Sequence, residues 1–123
     1  MIITPSLTPS PPGTKMARKP KESDWKAFRK MVPELRERYL TEKNKEIVAI
    51  FMDEIRTPTE QFWDARERIE KERKILEDCL DGHSRSSMNG YIYLMYRHGM
   101  LNDSDLENFS EDLKNNIKQI LRS

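Results

Sequence analysis

Thr57-Pro58-Thr59-Glu60, close to the middle of the chain, limits the fold more than any other stretch. A threonine at the N-cap accepts from the amide three residues on. A proline suits the first helical position because it has no N–H to satisfy, and the glutamate reaches back to the amide of the cap. A helix therefore begins at Pro58, and any helical pattern before it must end a few residues earlier.

Such a pattern is present from Ser23 onward. Ser23 is a candidate cap for a helix whose apolar residues Trp25, Phe28, Val32, Leu35 and Tyr39 recur at spacings of three and four. Pro33 lies inside this pattern, so either the helix kinks there or residues 25–31 form a short helix and a longer one starts at Pro33. The pattern fades over residues 41–46 and returns at 47–55, a run apolar almost all round. Flanking polar helix formers and the lack of turn residues favour helix over strand.

Beyond Pro58 one face carries Phe62, Ala65, Ile69, Leu76, Cys79 and Leu80. The opposite face pairs acid before base at i, i+4 in Asp64–Arg68, Glu67–Lys71 and Glu70–Lys74. Gly82 supplies a stop. At roughly 1.5 Å per residue both helices run a little over 30 Å, and the short connection folds them back as an antiparallel hairpin.

Two shorter helices follow. One, over residues 85–98, has a stripe of Met88, Tyr91, Ile92 and Met95. Its other sides are made apolar by Tyr93, Leu94 and Tyr96, so it must be largely buried or meet another chain. Gly99 ends it. Asn102 caps the last helix, with Asp103 and Asp105 in the first turn and Leu101 and Leu106 placed as a hydrophobic staple. Its stripe is Leu106, Phe109, Leu113, Ile117 and Ile120. The expected fold is all-α: a bundle of about four helices over 23–123, preceded by a disordered Pro/Ser/Lys-rich tail over 1–22. The tail contains a P-x-x-P spacing from Pro9 to Pro12 and a second candidate start at Met16.

Composition narrows the function classes. The 123 residues carry 22 Lys and Arg against 21 Asp and Glu, a net charge of +1, whereas a partner dominated by phosphate calls for a clear basic excess. A single cysteine excludes an internal disulfide and Cys-rich metal frameworks. No apolar run approaches the roughly 18 residues that cross a bilayer, and the start lacks the basic-then-apolar order of a secretory signal, which points to the cytoplasm.

The chemically richest stretch is Asp78-Cys-Leu-Asp-Gly-His-Ser-Arg-Ser-Ser-Met88. Cys79 and His83 are four apart, with Asp78, Asp81 and His98 as further metal-ligand types, but Gly82 breaks the helical spacing a shared site needs. Cys79 or Ser84 as nucleophile with His83 as base and Asp81 or Asp78 as orienter has the right residue types. Sequence neighbours seldom reach that geometry, and no nucleophile-elbow pattern flanks them. Asp103, Asp105 and Glu111 lack the glycine and spacing of a calcium loop. The strongest ligand expectation is an anion held by His83, Ser84, Arg85, Ser86 and Ser87 at a helix start. The competing expectation is a plain corner, with Arg85 paired to Asp78 or Asp81. As a DNA-recognition helix, residues 84–99 are too apolar.

The sequence therefore predicts no catalytic set, metal or cofactor. It describes a small cytoplasmic helical protein working through protein–protein contacts, with a homodimer as one form and Phe51, Tyr93, Leu94 and Tyr96 as interface candidates. The alternatives are an anion- or phosphate-binding regulator at the 83–87 corner and nucleic-acid association through the basic tail at Lys15, Arg18, Lys19 and Lys21.

Overall fold

The computed structural model describes residues 20–122. The tail over 1–19, including the P-x-x-P segment, Met16, Lys15, Arg18 and Lys19, lies outside the described residues. Within them the fold is an all-α bundle with no strand. Helix α1 (Glu22–Met52) and helix α2 (Pro58–Leu80) form the long hairpin. A single 3-10 turn (Arg85–Ser87) leads into α3 (Met88–Arg97), followed by the one-turn α4 (Asp103–Leu106) and by α5 (Glu111–Arg122).

The capping box expected at Thr57 forms with both bonds: Glu60 N–H to Thr57 Oγ1 at 3.1 Å, and Thr57 N–H to Glu60 Oε1 at 2.8 Å. The start of α1 differs from expectation. The helix begins at Glu22, one residue before Ser23, and its N-cap Lys21 makes no side-chain capping bond. Acidic Glu22 and Asp24 in the first turn favour this end electrostatically instead. Pro33 neither ends nor restarts the helix, and residues 41–46 continue it. Pro33 is exposed, where its ring meets solvent and the missing N–H costs one bond among many.

Three ties show that the hairpin arms are antiparallel. Tyr39 on α1 meets Glu72, Glu46 meets Arg68, and Arg56 just beyond α1 meets Asp64 at 2.9 Å. As numbers rise on one arm they fall on the other.

The core lies against only half of this hairpin. Phe28, Leu35 and Tyr39 of α1 and Cys79 of α2 pack with Met88, Ile92 and Met95 of α3 and with Met100, Leu101, Leu106, Phe109, Leu113 and Ile117. Unbranched methionines recur in it, a side chain that fills irregular gaps between helices of different length. Two polar ties hold the short helices in place. Arg38 donates to the Met100 carbonyl at 3.2 Å and to Asp105 at 2.5 Å. Buried Asp24 accepts from the Ser110 amide at 2.8 Å and its hydroxyl at 2.7 Å.

That second tie explains why the expected last helix is two. Ser110 Oγ accepts from the Leu113 amide at 3.3 Å and so caps a new helix, while α4 stops after one turn. The apolar spacing survives the break, since Leu106, Phe109, Leu113 and Ile117 are all buried. Among the described residues no helix is long and apolar enough to cross a membrane.

Candidate functional site

The 83–87 corner is assembled from both neighbouring helices and from the start of α1. Gly82 adopts φ +79°, turning the chain out of α2. His83 Nε2 lies 2.7 Å from the Cys79 carbonyl, an acceptor only, so this nitrogen carries the proton. The ring packs against Phe28 at 4.9 Å and Tyr91 at 4.5 Å between centroids. Arg85 pairs with neither Asp78 nor Asp81. Its Nε donates to the Pro20 carbonyl at 2.7 Å and its Nη1 to Glu22 at 2.9 Å, pinning the start of α1. Ser84 and Ser87 form a reciprocal capping box, and Ser84 Oγ lies 3.4 Å from Ser86 Oγ. The five residues of the expected anion site are thus brought together, but their principal donors already serve the fold. An anion there must displace those contacts.

Cys79 is fully buried, and burial, with the Asp78 charge adding, pushes its thiol up to about 11. Among the described residues no three His, Cys, Asp or Glu side chains converge as a metal site. A shallow hollow along the outer side of α2, lined by Trp63, Glu67, Glu70, Lys71 and Lys74 among others, is built from one helix alone.

The other feature is the half of the hairpin that the core does not reach. Arg38 marks the edge, because its bonds to Met100 and Asp105 set where the α3–α4 layer ends. Past Tyr39, α1 continues for about 13 residues, roughly 20 Å, and among the described residues only α2 lies beside it. The inner seam of this distal arm begins with a polar layer. Tyr39 donates to buried Glu72, Arg68 Nε donates to Glu72 at 3.0 Å, Arg68 also pairs with Glu46, and Lys43 lies over the Tyr39 ring at 5.2 Å. Of the expected i, i+4 pairs, Asp64 bonds Arg56 and Arg68 bonds Glu46 and Glu72 instead, while Glu70 pairs with Arg73.

The buried stripe of α2 is Ala65, Glu72 and Cys79, a heptad spacing. Phe62 and Ile69, expected on the buried face, are 57% and 50% exposed. They stand seven residues apart, and seven further on is Leu76, which does pack against the core. The same stripe is covered where α3–α5 lie and bare where they do not. Around the tip Val48, Phe51 and Met52 on α1 and Trp63 on α2 are also exposed, and Ile55 in the turn is 95% exposed.

This turn is not loose. The Ile55 amide donates to Asp53 Oδ1 at 3.0 Å, Arg56 bridges Asp53 and Asp64 at 2.9 Å each, and Gln61 Nε2 donates to the Asp53 carbonyl at 2.9 Å. Ile55 is therefore presented to solvent by a bonded turn.

Of the interface candidates, Phe51 is open, whereas Tyr93, Leu94 and Tyr96 are half-buried against the core. Periodicity pointed to Phe62 and Ile69 as apolar stripe residues but not to their exposure. The missing signal was a length comparison: α3, α4 and α5 are too short to cover a hairpin of more than 30 Å. Comparison with protein families, curated proteins and solved structures finds no match.

Proposed function

We propose that this protein acts through protein–protein contacts made by the distal arm of its hairpin, and not through chemistry of its own. The observation that carries this reading is the ordered display of large apolar side chains on an arm that has no third layer among the described residues, ending in Ile55 on a hydrogen-bonded turn. Small chains rarely leave contiguous apolar surface open without a partner for it. A turn fixed before binding also loses little conformational entropy on association.

Charge favours a protein over a lipid surface. Residues 53–67 hold five acids, Asp53, Glu54, Glu60, Asp64 and Glu67, against Arg56 and Arg66. Carboxylates so close to the apolar tip oppose both insertion into hydrocarbon and approach to anionic headgroups. The test is affinity capture from source cells with the wild-type chain and with an Ile55→Lys/Trp63→Glu variant that keeps its circular dichroism spectrum. Proteins retained by the wild type and lost by the variant uphold the reading; an identical captured set overturns it.

A further inference from the structure

We infer that the partner of the distal arm is a second copy of this chain, the two arms lying antiparallel so that each fills the missing layer of the other. The inference rests on the proposed role of the arm and adds the identity and direction of the occupant.

The first ground is shape. On the side of α2 that carries Phe62, Ile69 and Leu76, the layer formed by α3–α5 stops near the level of Arg38, and among the described residues the arm continues alone. This leaves a step one helix layer deep and roughly 20 Å long. An arm of this same chain is one layer thick and of the same length, so the step is self-complementary, as a two-fold contact requires. Direction follows from sterics. With both tips pointing the same way, the two α3–α5 layers would occupy one volume. With tips opposed, each arm lies beside the other and each tip abuts the partner's short helices.

The second ground is the pairing this produces. Antiparallel packing of α2 on its copy, with the axis between Ala65 and Arg66, sets Phe62 of each chain opposite the second copy's Ile69. Both residues are now half-exposed, and the match is apolar on apolar in both halves. The tip, carrying Glu54 and Glu60, comes to the end of α3, where Arg97 and His98 are exposed.

The third ground is area. Phe62, Ile69, Met52 and Ile55 are 50–95% exposed. At roughly 200 Å² for a large side chain they leave on the order of 550 Å² open per chain. Two copies then supply roughly 1,100 Å² from these residues alone, just under the roughly 1,200 Å² at which specific interfaces begin, and the polar rim around them adds the rest.

The experiment measures the mass of the full chain by light scattering across the micromolar range, for the wild type and for Phe62→Glu/Ile69→Glu. Two single-cysteine additions accompany it, with Cys79 left in place because it is buried. Arg66→Cys, beside the proposed axis, should join to its own copy on mild oxidation. Thr59→Cys, far from the axis, should not. The expected result is a doubled mass that falls to one chain in the double variant, with cross-linking at position 66 only. A wild-type monomer throughout the range overturns the second copy while leaving the capture test of the arm to decide the broader reading. A dimer that survives Phe62→Glu/Ile69→Glu, or that cross-links at position 59, overturns the arrangement.

Discussion

The Tyr39 hydroxyl donates to the Glu72 carboxylate across the hairpin seam, at the level where the apolar core gives way to the two-helix arm. Both residues are buried, and the proton stays on tyrosine. Burial, then the Glu72 bond, holds the Tyr39 phenol well above its usual range. Burial alone raises the Glu72 carboxyl, but the bonds from Tyr39 and Arg68 and the charges of Lys43 and Arg68 outweigh it, so its net shift is downward. Tyr39→Phe leaves the buried carboxylate with one donor fewer and should cost about 1–3 kcal/mol in urea unfolding at neutral pH. A loss well under 0.5 kcal/mol would show that water replaces the hydroxyl at little cost.

The same layer sets an acid limit. The folded-state pKa of Glu72 lies below its unfolded value, so the stabilisation is fully present above the ordinary glutamate range and is lost as pH falls through the folded value. Thermal unfolding followed from neutral pH into the acid range should show a fall in Tm that is shallower in Glu72→Gln than in the wild type. Equal slopes in the two proteins would rule out Glu72 as a contributor to the acid transition.

Gly82 and Gly99 offer a matched pair. Both have positive φ, +79° and +77°, but a Cβ at Gly82 meets Tyr91 Oη at 3.1 Å while one at Gly99 meets nothing within 4 Å. Tyr91 cannot easily retreat, because its hydroxyl donates to the Asp81 carbonyl at 2.5 Å. Gly99→Ala should cost about 1 kcal/mol for the left-handed backbone alone, and Gly82→Ala measurably more. Equal destabilisation of the two would mean that the corner adjusts freely around Tyr91.

Asp24 ties α1 to α5 through two bonds to Ser110, and periodicity gave no hint of it. Asp24→Ala leaves the Ser110 amide without its acceptor, so a loss of about 1–3 kcal/mol is expected. Hydrogen exchange should speed up in α5 before α3. If protection falls equally in every helix, the bond contributes to global stability and does not hold α5 locally.

These ties mark how far the sequence could be read. The helices, the hairpin and the apolar stripes of α3 and α5 follow from periodicity and from local capping chemistry, as at Thr57 and Asn102. Those signals act within a few residues. What was not legible depends on pairs distant in the chain: Arg85 with Glu22, Arg38 with Asp105, Asp24 with Ser110. Each joins a charged side chain to an element more than 60 residues away, and nothing local distinguishes it from an ordinary surface charge. The exposure of Phe62 and Ile69 was hidden for a related reason. Periodicity assigns a face to a residue, but only the lengths of the other helices decide whether that face is covered.

Cys79 provides an internal probe of the core. Its thiol is buried and raised to about 11, so at neutral pH both access and the thiolate fraction oppose attack by an aromatic disulfide reagent. It sits beneath the His83 corner, since His83 donates to the Cys79 carbonyl. Labelling in the native protein should therefore follow opening of the core and change with urea as global unfolding does. His83→Ala should accelerate labelling by removing both that bond and the ring between Phe28 and Tyr91. Ile55→Ser at the arm tip should have a smaller effect than His83→Ala, because the tip shares no core contact with Cys79 and reaches it only through the second copy. Fast native labelling that is insensitive to His83→Ala would place a local opening at the end of α2, independent of the corner.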